Sequence, residues 1–438
     1  MNIIAVMTDD NEHGAIDARS MPFLESDPYG GWIRFTNAVL STPLCHPSRQ
    51  TVARGQRADR HGQIENSGIP TIDFADNVGT WLAGAGWDTA FMGKLFNDWP
   101  WGDFAAHDPV GWGRLFANGE SADYFDWTAY REDGSTVASN GDYWTDRIAA
   151  EAVDWIATVT EPFILRLDPN VPHGPPQPAP RHATLDCGGA TSADDPAAFN
   201  QQIGGAPAHM VLPLLTLQER QEIRAQRADC RRCLRAVDEA LAAILGAVDA
   251  RGFMANTSVW LLNDNGSSLG RHRLDVELSG GTASGKRRPY RWCTDLQLRV
   301  RWPGQPSRTE ERLVSSCDLA PTWAAMGGAV TSIPQDGIDI RPLLDGTAGP
   351  GWRSSIESSF VAEKPDIPIW WSLVWRAVNG TRAWRYTEYE TGETELFDQV
   401  TDPAELVNVA ALPEHERTVE FLSRRLRSLR EVPHGRRL

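Results

Sequence analysis

The sequence predicts an α/β layered fold followed by a smaller α+β unit, and three observations carry that reading. Short apolar runs ("NIIAVM", "FILRLD", "SVWLLN") alternate with stretches of helical periodicity. Two of the runs end in polar clusters, Asp9-Asp10 and Asp264-Asn265, as buried strands do when their C-terminal ends face a ligand. Beyond about residue 345 the pattern turns to alternating, aromatic-rich strands and one last helix.

Taken in order, "NIIAVM" is a buried strand delivering Asp9 and Asp10. "LCHPSRQTVARG" reads as a loop carrying Cys45 among a proline and two arginines. "TDRIAAEAVDWIATV" puts Ile148, Ala152, Trp155, Ile156 and Val159 on one helical face and feeds the core strand "PFILRLD". Residues 174–215, rich in Pro, Gly, Ala and Ser, are either an active-site loop or a disordered insertion. A long amphipathic helix runs from Leu217 to about Arg251, with Gly252 as its stop. "SVWLLNDNG" repeats the strand-then-ligand pattern. In the last part, Asn379-Gly380 predicts a type I′ hairpin turn, with Trp384 and Tyr386 on one strand face, before the helix around "PEHERTVEFLSRRLRSLR". The expected division is a catalytic unit over 1–345 and a C-terminal unit over 346–438, with no internal repeats.

Composition narrows the function classes. The 438 residues are 41% hydrophobic, enough for a large core. Net charge is −16, from 42 basic against 58 acidic residues, which argues against nucleic-acid and membrane-surface partners. A small anionic substrate stays open, because screening over roughly 8–10 Å lets local cations dominate. No apolar run approaches the roughly 18 residues of a membrane span. "MNIIAVMTDD" lacks the basic start and cleavage site of a secretory leader, so the expectation is a cytoplasmic protein. Six cysteines without framework spacing fit a reducing compartment; Cys230 and Cys233 fall within the long helix and read as helix-face thiols.

Three aspartates and an asparagine form an oxygen-only ligand set, suited to Ca²⁺ or Mg²⁺ rather than zinc. Cys45, read from its neighbours alone, could be a thiolate nucleophile, a metal ligand, an inert core residue or the precursor of another group.

Here a resemblance enters. "LCHPSRQTVARG" resembles the sulfatase signature, a cysteine, any residue, Pro-Ser-Arg, then a short stretch ending in Gly; Cys45, Pro47 and Arg49 match its Cys-x-Pro-x-Arg core. "VMTDD", "FMGKLFN", "PNVPHGP", "LLNDNGSSLGRH", "GKRRPYRWCTDLQLRVRWPG" and "TELFDQVTDPAELVNVA" resemble further family segments in the family's order, over nearly the whole chain. The resemblance implies a large mixed, mostly parallel β-sheet sandwiched by helices, of alkaline phosphatase type, with a smaller antiparallel α+β subdomain. It also implies a sulfuric ester hydrolase whose Cys45 is oxidised by a separate formylglycine-generating enzyme to Cα-formylglycine.

The chemistry accounts for the residue types. A thiol attacking sulfate would end as a stable adduct, whereas one hydroxyl of a hydrated aldehyde attacks sulfur and the other then expels sulfate from the sulfo-enzyme. A divalent ion polarises the sulfate, Arg and Lys neutralise its charge, and a His or Lys protonates the leaving alcohol. By motif match, Asp9, Asp10, Asp264, Asn265 and modified Cys45 would hold the ion. Arg49 would steady the formylglycine, Lys94 and Lys286 would contact the sulfate, and His173, shared with Lys286, would be the leaving-group acid. Asn66, Asn97, His272 and Arg288 are further candidates for substrate contact. Read alone, Lys94 would be a surface lysine at a helix start; its place in "MGKLFN" points to the site instead.

One departure stands out. Many arylsulfatases carry Gly-Lys-Trp-His, and here Phe96 takes the histidine position. The Gly-Lys-x-x-Asn form resembles the glucosamine 6-sulfatase branch and shifts the expected substrate toward sulfated sugars or other alkyl sulfates. Two alternatives stay open at this level: a formylglycine-dependent phosphonate monoester or phosphodiester hydrolase, and a non-catalytic metal-site protein with unmodified Cys45.

Overall fold

The computed structural model describes residues 1–67, 75–97, 99, 111–118, 124–274 and 285–431. Its strands, in chain order, are β1 (Asn2–Thr8), β2 (Trp32–Phe35), β3 (Ala38–Val39), β4 (Asp88–Lys94), β5 (Arg114–Asn118), β6 (Thr128–Arg131), β7 (Thr136–Ala138) and β8 (Phe163–Asp168). They continue with β9 (Thr257–Asn263), β10 (Arg299–Arg301), β11 (Arg308–Glu310), β12 (Val314–Ser315), β13 (Ser355–Phe360), β14 (Trp370–Arg376), β15 (Ala383–Tyr389) and β16 (Thr394–Asp398).

Ten of them form one mixed sheet in the order β11-β2-β10-β9-β1-β8-β4-β5-β6-β7. The central strands β9, β1, β8, β4 and β5 run parallel, and β1 lies between β9 (Thr8 opposite Asn263) and β8 (Val6 opposite Leu167). Parallel neighbours deliver their C-terminal ends to one edge, so Asp9, Lys94, Asp168 and Asp264 emerge together although up to about 255 residues separate them in sequence.

The continuous apolar character of β1 follows from burial on both faces. Ile4 and Val6 pack with the helices Trp144–Ile156 and Leu217–Ala250. Ile3, Ala5 and Met7 face the other way, toward Trp81, Leu82 and Trp323 of the helices Val78–Gly84 and Leu319–Gly327. The long helix has the predicted bounds, a Thr216 capping box with Glu219 and Gly252 just past its end in the left-handed region. Cys230 and Cys233 are buried thiols on it.

The second sheet, β13-β14-β15-β16, is wholly antiparallel, with the helix Glu416–Glu431 packed on Tyr386 and Leu396. Trp384 and Tyr386 join the same cluster, as predicted.

Two local expectations are corrected, at Cys45 and at Asn379-Gly380, and two alternatives are excluded, at Lys94 and at 174–215. Cys45 is not in a loop: it is the first residue of the helix Cys45–Arg54, where Pro47 is tolerated in the first turn and Gly55 ends the helix at φ 70°. Lys94 closes β4 rather than starting a helix, and it is buried. The 174–215 segment is no disordered insertion. It holds three 3₁₀ turns and is pinned by Arg227 to the Asp194 carbonyl (2.9 Å) and by the His272 N–H to the Ala198 carbonyl (2.9 Å). Asn379-Gly380 is not a type I′ turn, which needs positive φ at both residues; only Gly380 has it, in a six-residue connection closed by the Ala377 N–H on the Arg382 carbonyl (2.9 Å).

Candidate active site

The sheet edge gathers a fully buried charged cluster. Asp10 sits just past β1 at φ 61°, a left-handed conformation that aspartate tolerates, and its N–H donates to Asp264 Oδ1 (3.0 Å). The Asn265 N–H donates to the same oxygen (2.6 Å), and Asn265 Nδ2 donates to Asp10 Oδ1 (2.7 Å). The two acidic turns after β1 and β9 are therefore stitched to each other.

Arg49, from the second turn of the Cys45–Arg54 helix, reaches under this edge. Nε donates to Asp264 Oδ2 (2.9 Å), Nη1 to Asp168 Oδ2 (3.2 Å) and to the Lys94 carbonyl (2.8 Å), and Nη2 lies 3.7 Å from Asp9 Oδ2. Lys94 Nζ donates to Asp9 Oδ2 (2.5 Å). The Gly-Lys element needs its glycine: Gly93 has φ +124°, and a Cβ there would lie 2.1 Å from the Asp168 carbonyl oxygen on β8.

Across the cluster, Lys286 Nζ pairs with Asp10 Oδ2 and lies 3.5 Å from His173 Nε2. His173 Nδ1 bonds the Gly174 carbonyl (2.8 Å), so that nitrogen carries the proton and Nε2 turns its lone pair toward Lys286 and Asp10 Oδ2 (3.4 Å). Cys45 Sγ lies 3.7 Å from Asp10 Oδ1. One ligand atom each from Asp9, Asp10, Cys45 and His173 lie within 4.8 Å of one another.

Electrostatics follow from burial and this pairing. Burial pushes the Cys45 thiol well above its ordinary range, so it is protonated and not a thiolate nucleophile. Burial works to raise Asp9, yet the charges of Lys94, Arg49 and Lys286 hold it well below the usual carboxylate range. Asp264 is pushed up to about 7 by burial and the Asp9 charge, against Arg49. Burial and then the Lys286 charge lower His173, which is neutral near pH 7. Lys286 is held charged against burial by Asp10.

The residues fit a hard divalent cation. Asp9 Oδ1 and Asn265 Oδ1 are buried without a hydrogen-bond partner among the described residues, and orphaned oxygens beside two further carboxylates suit an oxygen-seeking ion. Asp264 already accepts three bonds, and the tight four-atom group has His173 in its stead; the cluster thus brings together all five predicted oxygen and sulfur ligands with the predicted Arg49, Lys94, His173 and Lys286.

The remaining candidates lie elsewhere. Asn66 Oδ1 accepts the His46 N–H (3.0 Å), supporting the helix start beside Cys45. Asn97 keeps a buried Oδ1 without a partner among the described residues. Phe96 stacks on His46, ring centroids 4.9 Å apart, so the missing histidine is replaced by an aromatic wall. His272 bonds the Ala404 carbonyl (3.0 Å) and packs edge-on against Tyr290, joining the main sheet to the C-terminal unit. Arg288 is buried against Asp366, whose carbonyl accepts from Nη1 at 3.4 Å. Sequence reasoning missed Arg166 and Asp168, whose signal was available: a basic and an acidic residue two apart, hence on one face, of an otherwise apolar strand.

A mostly parallel sheet with a carboxylate, lysine and cysteine centre at its C-terminal edge is the frame of alkaline phosphatase-type ester hydrolases. The chain belongs to the sulfatase family, whose pattern it matches over residues 1–329, and is therefore a sulfuric ester hydrolase. Residues 284–432 match the N-sulphoglucosamine sulphohydrolase C-terminal family. Among its relatives, the N-acetylglucosamine-6-sulfatase of Capra hircus is 23% identical over 465 residues, covering 93% of this chain and 80% of that protein. A solved structure in complex with its substrate D-glucosamine-2-N,6-O-disulfate superposes with a TM-score of 0.80 at 20% identity, covering 100% of this chain and 99% of that one. The phosphonate monoester hydrolase of Agrobacterium radiobacter reaches 0.73 at 20% identity, covering 98% and 95%, so the fold is shared by both ester chemistries.

The cytoplasmic expectation is overturned. An extracellular sulfatase SULF-1 homolog of Drosophila melanogaster is 25% identical over 372 residues, 78% of this chain and 31% of that protein. All six cysteines are unpaired and buried. Among the described residues no helix is long and apolar enough to cross a membrane.

Proposed function

We propose that this sulfatase hydrolyses the sulfate monoester of a sulfated sugar of the glucosamine 6-sulfate type, using a Cα-formylglycine made from Cys45 by a formylglycine-generating enzyme and a bound Ca²⁺. The observation that carries the reading is the place of Cys45, the cysteine of the Cys-x-Pro-x-Arg segment: it opens the helix Cys45–Arg54, is fully buried, and sets Sγ 3.7 Å from Asp10 Oδ1 in one group with ligand atoms of Asp9, Asp10 and His173. The sugar class is supported by the relatives named above and by Gly93-Lys94-Leu95-Phe96-Asn97, in which Asn97 Oδ1 has no hydrogen-bond partner among the described residues.

Asp9, Asp10, Asp264 and Asn265, with modified Cys45, would hold the cation. When bound, the cation and the hydrated aldehyde would supply a polarised sulfate, one hydroxyl to attack sulfur and a second hydroxyl whose return to the aldehyde expels the sulfate. The protein's own residues do the rest. Arg49 fixes the helix start that carries position 45, through its bonds to two carboxylates and the Lys94 carbonyl. Lys94 and Lys286 bring two buried positive charges toward the sulfate oxygens, worth most in a water-poor pocket. Lys286 holds the proton for the leaving alcohol and His173 Nε2, 3.5 Å away, relays it. Asn66 and Arg288 support the sugar side indirectly, and His272 acts on the fold. The same reading divides the chain into catalytic residues 1–345 and a C-terminal unit, 346–438.

Matured enzyme tested on glucosamine 6-sulfate, an aryl sulfate and a phosphonate monoester should favour the sugar sulfate over the phosphonate by about 100-fold or more in kcat/KM. Faster phosphonate turnover would overturn the assignment. The mass of the Cys45 peptide is read on the same sample, and an intact thiol in fully active protein would remove the formylglycine step.

A further inference from the structure

Arg49 faces three carboxylates, and two of them, Asp264 (2.9 Å) and Asp9 (3.7 Å), are the ones the cation would need. The third, Asp168 (3.2 Å), belongs to no motif that points to the ion. It is held rigidly. Asp168 ends β8 opposite Gly93, whose missing side chain lets the two backbones close. Its carboxylate is also gripped by Arg166, with Nε at 3.3 Å from Oδ1 and Nη2 on Oδ2, the oxygen that Arg49 Nη1 shares. Arg166 itself is buried, lies over the Phe91 ring (5.4 Å to the centroid) and has Asp168 as its ion-pair partner.

We propose that Asp168 is a positioning residue that keeps Arg49 seated while Asp9 and Asp264 turn to the divalent cation, with Arg166 setting how much of Asp168's charge is left for that task. The inference rests on the cation reading given above. A buried guanidinium cannot be left without a counter-charge. If Arg49 had only Asp9 and Asp264, each would be held by the arginine or by the ion, and loading would compete with the salt bridges. A third carboxylate, fixed on a strand and outside the tight group of ligand atoms from Asp9, Asp10, Cys45 and His173, removes that competition. Arg166 draws on the same carboxylate, so its removal frees Asp168 for Arg49.

The test is Ca²⁺ titration by calorimetry on the full-length protein with unmodified Cys45, with no turnover measured. Asp168→Asn should weaken Ca²⁺ association by about 10–100-fold, the range of outer-shell partners. Arg166→Met should leave it within about threefold of the parent or tighten it, because Asp168 then serves Arg49 alone. A merely structural role would weaken both variants. Should Asp168→Asn fail to fold, the double variant Arg166→Met/Asp168→Asn, which removes both charges together, is titrated in its place with the same weakening expected. Binding equal to the parent in whichever of these two folds, or equal weakening in Asp168→Asn and Arg166→Met, overturns the proposal. Absence of Ca²⁺ binding by the parent would instead overturn the cation reading, and this inference with it.

Discussion

Arg49→Lys is the substitution that separates charge from geometry at this site. The arginine makes three hydrogen bonds, to Asp264, Asp168 and the Lys94 carbonyl, from a fork buried at the sheet edge. A lysine keeps the charge and has three N–H donors, but they spread from a single nitrogen and lack the planar fork that reaches both carboxylates and the carbonyl, so two of the three bonds are lost. Losing two bonds of the charged kind, at roughly 1.5–3 kcal/mol each, gives a cost of about 3–6 kcal/mol. Scaled to a chain of this length, each kcal/mol moves the midpoint by about 1–2 °C, so thermal unfolding should come about 3–12 °C earlier. Tryptophan fluorescence during heating, at fixed scan rate and pH 7.5, measures it. Arg49 also lies in the Cys-x-Pro-x-Arg segment that, on the proposed function, marks Cys45 for conversion, so the Cys45 peptide mass is taken in parallel and stability is compared between samples of equal modification. A midpoint within 1 °C of the parent would refute the reasoning, because it would mean the three bonds are replaceable by one cation or by water.

Other outcomes follow from the same geometry. Cys45→Ala should abolish sulfate-ester turnover while shifting stability by no more than about 2 kcal/mol, since one buried sulfur is removed; residual activity of the purified variant decides it. Gly93→Ala should unfold the protein or lower its midpoint by several degrees, because the new Cβ meets the Asp168 carbonyl oxygen at 2.1 Å in a backbone conformation that side chains disfavour; a midpoint equal to the parent's would exclude that close approach. Chelation of Ca²⁺ should stop turnover and lower the unfolding temperature, with both restored by added Ca²⁺, as binding to the native state alone requires. Glu395, buried beneath the hydroxyls of Tyr290 and Tyr389, is pushed up by burial from its ordinary value to about 8. The native state thus holds a proton that the unfolded chain releases near 4.5, so this contribution is full below about pH 4.5 and is lost as pH rises through 8. Glu395→Gln should flatten the decline in urea midpoint between pH 6 and 9; an unchanged slope would show that the proton is not there.

The sheet and most of the site were legible because both are written in short range. A strand buried on two faces must be continuously apolar, so "NIIAVM" and "SVWLLN" declared themselves, and the acids following them could only lie at the strand ends. The helix at Cys45 was not legible: a proline three residues in resembles a loop until the Gly55 terminator is weighed against it. His272 was singled out by the "LGRH" segment and Arg288 by its basic neighbourhood, but short-range pattern does not carry their partners, which are the distant Ala404 and Asp366 carbonyls. Asp168 and Arg166 were hidden by the habit of reading a strand for its apolar residues, when its two charges were the informative ones.

The order of the sheet also sets a schedule. Cys45 is wholly buried in the finished protein, and its pocket is closed by Asp264 and Asn265, which become neighbours of β1 only when β9 pairs with it. During synthesis Cys45 emerges about 220 residues before Asn263, which at roughly 5–20 residues per second is about 10–40 s. On the proposed function, an enzyme that converts Cys45 would need the segment open, as it is until β9 pairs with β1.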